Sequence, residues 1–440
     1  MVLTIIAAAF GLLLYLCIAS VGFTFSGVFG IFLYPLGYII GSATKRSARK
    51  TSTPVGYYYT QPVNTPMQLN PVHHIQTQSS SIWNTSSTSG SHSKNWFSQT
   101  QTSSKIASNS SRTVYDLDGN PLQLGTRDEK ASGGEGTVYT MPNTPSIMIK
   151  LYKAKTIQDT VKMREIQKRI DCMIQNSACS GMKYLAWPLL SVADDQKQMI
   201  GFAMHSCEGE SFRALGSVAN IRKTFPAWNR LQLAKTALDF VEKVDKLAKN
   251  NVIINDFNPQ NFLVDSKCQV SMIDCDSYQI TAPNGSTMVT HTFYSSHVAP
   301  ELLKDLSLMD VSRNIHHVEF GVAVVVFGLL MCGMHPYSFS DPSNRKKIGA
   351  PEDNLRNGYC PLAPGSTLHF PKAPHNEWFN LWTWLPKSMQ DAFVATFCDG
   401  YADPIRRASL SQLELALRDT IQFMNREKRA CELTPRKSKP

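Results

Sequence analysis

The sequence predicts an α+β fold class, and three observations carry that prediction. Strand-like runs gather early, at Tyr115–Leu122, Ile147–Lys150 and Met199–Met204. Helix-length apolar patterns dominate later, at Ala227–Lys249, Phe320–Met334, Lys387–Phe397 and Leu410–Met424. Between them lies Asn251–Tyr278, NVIINDFNPQNFLVDSKCQVSMIDCDSY, in which two short β-like runs, Asn261–Val264 and Val270–Ile273, flank a polar turn at Asp265–Lys267. Asp256 and Asn261 border the first run, and Asp274 and Asp276 close the second. Phosphoryl transfer from a nucleotide needs such a set: one carboxylate to orient the attacking hydroxyl, and an amide with a second carboxylate for metal ions on the phosphates.

At 440 residues the chain has room for one large domain or two ordinary ones. Its net charge of +10 is unevenly placed. Residues 1–112 hold seven Lys/Arg and no acid, and 426–440 hold six against two acids, leaving about −1 for 113–425. The basic character therefore belongs to the flanks. That disfavours a nucleic-acid-binding core and suits contact with anionic lipid. Ten cysteines, none in a C-x-x-C pair, read as free thiols in a reducing compartment.

The first charged side chain is Lys45, and the stretch before it is long enough for two membrane-spanning helices, at about 3–19 and 25–42, broken near Ser20–Ser26. A signal peptide would need a basic start, and a lipoprotein cleavage at Cys17 would need a small residue where Leu16 stands. Lys45-Arg46 and Arg49-Lys50 place the following end in the cytoplasm, so both ends of the hairpin face it. The short-loop anchor suggests a bacterial inner membrane. Residues 45–112 read as a basic, then Ser/Thr/Gln-rich disordered linker, with 24 Ser or Thr and no acid between Thr51 and Ser111.

Order is expected from Thr113. Asp118-Gly119-Asn120 turns a hairpin. ASGGEGTVY follows, with Gly133, Gly134, Gly136 and Val138, and then IMIK ending in Lys150. Glycines let backbone amides approach phosphate oxygens, and a lysine one strand later supplies a cation. Thr156–Ile174 reads as a helix carrying Glu165. Ala227–Lys249 is amphipathic, and Phe320–Met334, apolar all round but short for a bilayer, reads as a buried central helix. His316 and His317 read as ordinary helix-start residues, and the tail from Arg426 as basic and disordered.

Over 113–425 the chain resembles Hanks-type (eukaryotic-like) protein kinases. The resemblance implies a bilobal protein-kinase-like fold, a small β-rich lobe over about 113–207 and a larger helical lobe over 208–425, with ATP and Mg2+ in the cleft. Lys150 would hold the α- and β-phosphates, anchored by Glu165, and the end of the Met199–Met204 strand with His205 and Cys207 would form the adenine-binding hinge. Asp256 matches the catalytic aspartate, and Asn261 and Asp274 the Mg2+ ligands. Val298-Ala299-Pro300-Glu301 resembles the A-P-E element, whose Glu301 would pair with Arg407 of Asp403-Pro404-Ile405-Arg406-Arg407.

The departures are specific. Ile254-Asn255 stands where His-Arg is usual, which removes the arginine that meets a phosphorylated activation loop. Asn258 replaces the lysine that contacts the γ-phosphate, and Asp274-Cys275-Asp276 replaces D-F-G. Val318 takes the place of the central-helix aspartate, and Tyr294 or Ser295 stands near the threonine that meets the catalytic aspartate. The expectation is a divergent, membrane-anchored Ser/Thr protein kinase with unknown protein substrates, its own linker among the candidates. Two alternatives stay open: a small-molecule phosphotransferase of the aminoglycoside/choline type, whose D-x-D matches Asp274-Cys275-Asp276, and a nucleotide-binding membrane scaffold without catalysis.

Overall fold

The computed structural model describes residues 113–125, 127–128, 135–304, 312–338, 350–360, 362 and 377–435. The expected membrane segment, the linker, Gly133 and Gly134 lie outside these residues. Two lobes meet at the Asn251–Tyr278 stretch.

The first lobe is one antiparallel sheet of seven strands. These are β1 (Thr113–Asp116), β2 (Pro121–Gln123), β3 (Arg127–Asp128), β4 (Gly136–Thr140), β5 (Ile147–Tyr152), β6 (Pro188–Ala193) and β7 (Met199–His205). Their spatial order is β2-β1-β6-β7-β5-β4-β3. Gly119, at φ 88°, makes the hairpin turn between β1 and β2. Strand β5 lies between β7 and β4, which puts Lys150 opposite Phe202 on one side and Val138 on the other. A strand paired on both edges is a rigid mount for a functional side chain. A second glycine matters here: a Cβ on Gly201 would stand 2.1 Å from the Lys150 carbonyl oxygen, so only glycine permits this approach of the two strands.

The single helix expected over Thr156–Ile174 is two, Ala154–Gln158 and α1 (Thr160–Gln175). Asp159 separates them because its carboxylate accepts the Lys162 N–H at 3.0 Å, capping the new helix. Helix α1 buries Met163, Ile166, Ile170 and Met173 against the sheet.

The second lobe is helical. Helix α2 (Arg230–Lys249) opens with a reciprocal cap between Asn229 and Gln232 and packs on α3 (Ile315–Leu330). Helix α3 is almost wholly buried, as its all-round apolar sequence requires. Phe320 and Phe327 pack against Phe397, with Phe393 and Tyr337 completing the cluster. Helices α4 (Pro351–Asn357), α5 (Lys387–Val394) and α6 (Leu410–Arg426) enclose it. Among the described residues no helix is long and apolar enough to cross a membrane.

The chain does not fray at Arg426. Residues 428–431 form a further turn, and Ala430, Cys431 and Leu433 are buried, so apolar side chains in an otherwise basic run hold it to the body. The central stretch adds short strands: β8 (Glu210–Ser211), β9 (Val252–Ile253), β10 (Phe262–Val264), β11 (Val270–Met272), β12 (Gln279–Thr281) and β13 (Thr287–Met288). Strands β10 and β11 pair antiparallel with Phe262 opposite Met272. The Met272 N–H donates to the Tyr184 carbonyl at 2.8 Å, tying this hairpin to the segment that leads into β6.

Candidate active site

The loop between β9 and β10 is shaped by its own side chains. Asn258 accepts the Gln260 N–H at 3.0 Å and caps the turn Pro259–Asn261. Its main-chain N–H donates to Asp256 Oδ1 at 3.2 Å, and Asn261 Nδ2 donates to Asp256 Oδ2 at 3.2 Å. Both carboxylate oxygens are therefore held. Burial pushes the Asp256 carboxyl above the usual carboxylate range, opposed by those two donors and assisted by the Asp274 charge. An acceptor of somewhat raised basicity is suited to taking a hydroxyl proton. Below the loop, Phe257 packs on Gly321 of α3, where a Cβ would stand 2.4 Å from the ring. The loop thus rests on a helix that is almost wholly buried.

The loop after β11 brings two carboxylates to Lys150. Nζ lies 2.5 Å from Asp274 Oδ1, and 2.7 and 2.9 Å from Asp276 Oδ1 and Oδ2. Asp274 has a left-handed backbone, φ 58°, which turns the chain into the Cys275–Ser277 turn and carries Asp276 back beneath the lysine. The two acids differ in exposure: the Asp276 side chain is 4% exposed and that of Asp274 43%. Burial works against charge at Asp276. The Lys150 ammonium, its hydrogen bonds and the Arg169 guanidinium outweigh it and hold that carboxyl low. At Asp274 the lysine draws the carboxyl down, but burial and the Asp276 charge prevail and leave it raised. Burial likewise disfavours the Lys150 ammonium, and the two carboxylates more than restore it.

Glu165, expected to anchor Lys150, does not. It is exposed, and the lysine's two ion-pair partners are Asp274 and Asp276. Helix α1 turns its apolar face inward, and Glu165 falls off that face; from its flank Arg169 Nε reaches the Asp276 carbonyl at 2.9 Å instead. The helix also pairs Lys162 with Glu135 at 2.9 Å. Of the glycine-rich run, Gly136 opens β4, and a Cβ there would meet the Leu151 carbonyl at 2.9 Å and the Lys150 side chain at 3.2 Å. Val138 is buried in the same strand.

Met204 and His205 end β7, paired with Met148 and Ile147. The His205 ring meets the Ser180 carbonyl at 3.2 Å, and the next N–H, of Ser206, donates to Ser146 at 2.8 Å. Burial pushes the Cys207 thiol up to about 11, which keeps it neutral.

Several functional contacts have no precedent in the sequence reading. Tyr152 donates to Asp276 Oδ2 at 3.1 Å, and its position two residues after Lys150 on one strand face was the available signal. Asn255 donates to the Thr290 hydroxyl at 2.5 Å, and that hydroxyl donates to the Ser277 carbonyl at 2.6 Å. A buried amide clamp thus joins the catalytic loop to the segment beyond β13. Gln279 exchanges two hydrogen bonds with the Arg313 main chain, at 2.7 and 3.0 Å, anchoring the start of α3 beside Val318. Ser295 donates to Glu352 of α4 at 3.2 Å, and Tyr294 packs on His297. Arg407 and Glu301 form a bidentate pair at 2.9 and 2.6 Å.

Asp274 and the buried Asn261, on neighbouring loops, offer hard oxygen donors of the kind Mg2+ takes alongside water and phosphate oxygens, so the residues present fit that ion. Among the described residues there is no cluster of three or more His, Cys, Asp or Glu suited to a metal held by protein alone.

A β-sheet lobe with a double-paired lysine strand, a helical lobe and an Asp–Asn–Asp loop pair between them are arranged similarly to the parts of a protein kinase. The chain is 28% identical over 264 residues to protein kinase YegI of Escherichia coli O157:H7, and 28% identical over 248 residues to its counterpart in strain K12. Those alignments take in 57% and 53% of this chain but 39% and 37% of the relatives, so the chain spans about two fifths of their length. A solved ROP18 kinase domain in complex with AMP-PNP and sucrose matches with a TM-score of 0.47 and 16% identity, over 72% of this chain and 86% of that one. No protein-family model matches the chain.

Proposed function

We propose that this protein transfers the γ-phosphate of ATP to Ser or Thr hydroxyls of protein substrates, working at the cytoplasmic face of a bacterial membrane to which residues 1–44 anchor it. The observation that carries the reading is that Lys150, from the sheet lobe, meets the stretch in which Asp256, Asn261 and Asp274 are held together, with the Ile273 N–H donating to the Asn261 carbonyl at 2.9 Å. Asp256 orients the acceptor hydroxyl and takes its proton as the oxygen attacks. Lys150 supplies positive charge to the phosphate oxygens. Asn258 sets the position of Asp256 through its main-chain N–H, with its side-chain oxygen committed to the turn. Bound Mg2+, held by Asn261 and Asp274, would neutralise phosphate charge.

A protein acceptor is favoured by the Glu301–Arg407 pair, which fixes the base of the segment running from Ser295 to Lys304. The Ser/Thr-rich run 51–111 is itself a candidate acceptor, because a tether raises its concentration near the cleft. The test is full-length protein with labelled ATP and Mg2+, with its own chain and generic proteins as acceptors. Lys150→Met and Asp274→Ala should each lower transfer by about 100-fold or more. Nucleotide binding without transfer to any protein would sink the proposal, and so would rapid transfer to a small alcohol alone.

A further inference from the structure

We infer that Asp276, and not a carboxylate on helix α1, is the residue that positions Lys150 at the nucleotide phosphates. This rests on the phosphotransferase reading above and assigns the lysine's placement to the same loop that carries Asp274.

The two carboxylates beside Lys150 are built for different tasks. Asp276 engages Nζ with both oxygens and is nearly closed off from solvent, so it has no route to a nucleotide phosphate or its metal ion. It is also held from two further directions, by the Tyr152 hydroxyl on its Oδ2 and by Arg169 on its carbonyl. A carboxylate with that many fixed partners locks the rotamer of the ammonium it touches. Asp274 meets the lysine with one oxygen and opens to the cleft. Its left-handed backbone is what lets two acids, two residues apart, flank one ammonium.

Glu165 is the competing anchor, and its surroundings argue against it. It stands exposed on the rim of a separate cavity of about 430 Å³ behind the lysine, a cavity that Asp276 and Arg169 also border. Glu165 is exposed, while both carboxylates paired with Lys150 come from the Asp274–Asp276 loop. The lysine's anchor arrives with the Asp274 loop.

The experiment uses full-length protein as wild type, Asp276→Asn, Asp276→Glu, Glu165→Gln and Lys150→Met. Three quantities are read: kcat and KM for ATP, the affinity for AMP-PNP by calorimetry, and the melting temperature. Loss of one charge-assisted contact predicts a fall in kcat/KM of about 30-fold for Asp276→Asn, with weaker AMP-PNP binding. Asp276→Glu should recover part of it, and Glu165→Gln should stay within about twofold of wild type. A large loss in Glu165→Gln with an unchanged Asp276→Asn would overturn the inference. If Asp276→Asn fails to fold, the Glu165→Gln and Asp276→Glu results decide. Wild-type protein that binds AMP-PNP but moves no phosphate would overturn the phosphotransferase reading instead, and affinities across the same variants would still judge Asp276.

Discussion

At His335 both ring nitrogens are committed. Nε2–H donates to the Ser296 carbonyl at 2.7 Å, and Nδ1 accepts the Tyr337 N–H at 3.1 Å. A second proton would have to displace that N–H. Burial pushes the His335 ring down to about 4, only partly offset by the Ser296 bond and the Glu352 charge. Its neighbour His297 is also held well below its usual value, by burial and by His335 itself. The unfolded chain binds these protons near the ordinary histidine value and the folded chain does not. Stability is thus complete above about pH 6.5 and falls as the pH drops from there towards 4. Urea unfolding at pH 7 and pH 5 should differ by about 2 kcal/mol for one such histidine, and His335→Gln should flatten the slope. An unchanged slope would show that the ring's burial is not what depresses it. Chemistry at this scale was partly legible. Lys150, Asp256, Asn261 and Asp274 stood out because, together with Glu301 and Arg407, they follow the order that the resemblance to protein kinases implies. The partner of Lys150 was not legible, since Asp276 lies 126 residues away and nothing local ties the two.

Among elements, α3 supports the site through the Gly321–Phe257 contact. Its sequence, apolar on every side, could only be buried, and the structure puts it under the catalytic loop. Phe257 seats on Gly321, and the residue before Phe257 is Asp256. Gly321→Ala would force the ring aside by an ångström or more. A displacement of that size costs about 100-fold in rate when it reaches a catalytic group, and about 1–3 kcal/mol in stability from overpacking. Phe257→Leu in the same protein should restore part of both losses. Full activity in Gly321→Ala at an unchanged melting temperature would refute the coupling. Periodicity found α2, α3 and α6 within a few residues. It missed the interruption at Asp159, because the run 156–174 is compatible with one helix until the aspartate side chain is seen to cap a second.

At the scale of the whole molecule, Arg230 joins parts of the helical lobe that no local pattern connects. Its guanidinium donates to the carbonyls of Leu330, Ala430 and Leu381 at 3.1, 3.1 and 3.0 Å, the ends of three distant segments. Burial pulls it down to about 10, with the nearby thiols Cys332 and Cys431 acting in the other direction, so it stays charged at neutral pH. Arg230→Met would fill the space but leave three carbonyls without a donor, at a cost of about 3 kcal/mol or more. The expected result is a clear drop in melting temperature and early proteolysis near residues 427–435. A variant as stable and as protease-resistant as wild type would show that water replaces the guanidinium. The same contact explains why the basic tail packs: its main chain supplies an acceptor to a buried cation, and Ala430, Cys431 and Leu433 follow it inward.

What the sequence determined by itself is what depends on composition and short-range order. The apolar periods, the β-runs around a polar turn, and the acids and amides at their edges set the α+β class and most of the chemistry of the cleft. The tertiary structure decided which charges meet. A salt bridge between residues more than a hundred positions apart depends on how a sheet and a loop pack, and the turn at the left-handed Asp274 is where Asp276, rather than Glu165, meets Lys150. Exposed and buried carboxylates look alike in a sequence. Only the fold gives one of them to solvent and the other to the lysine.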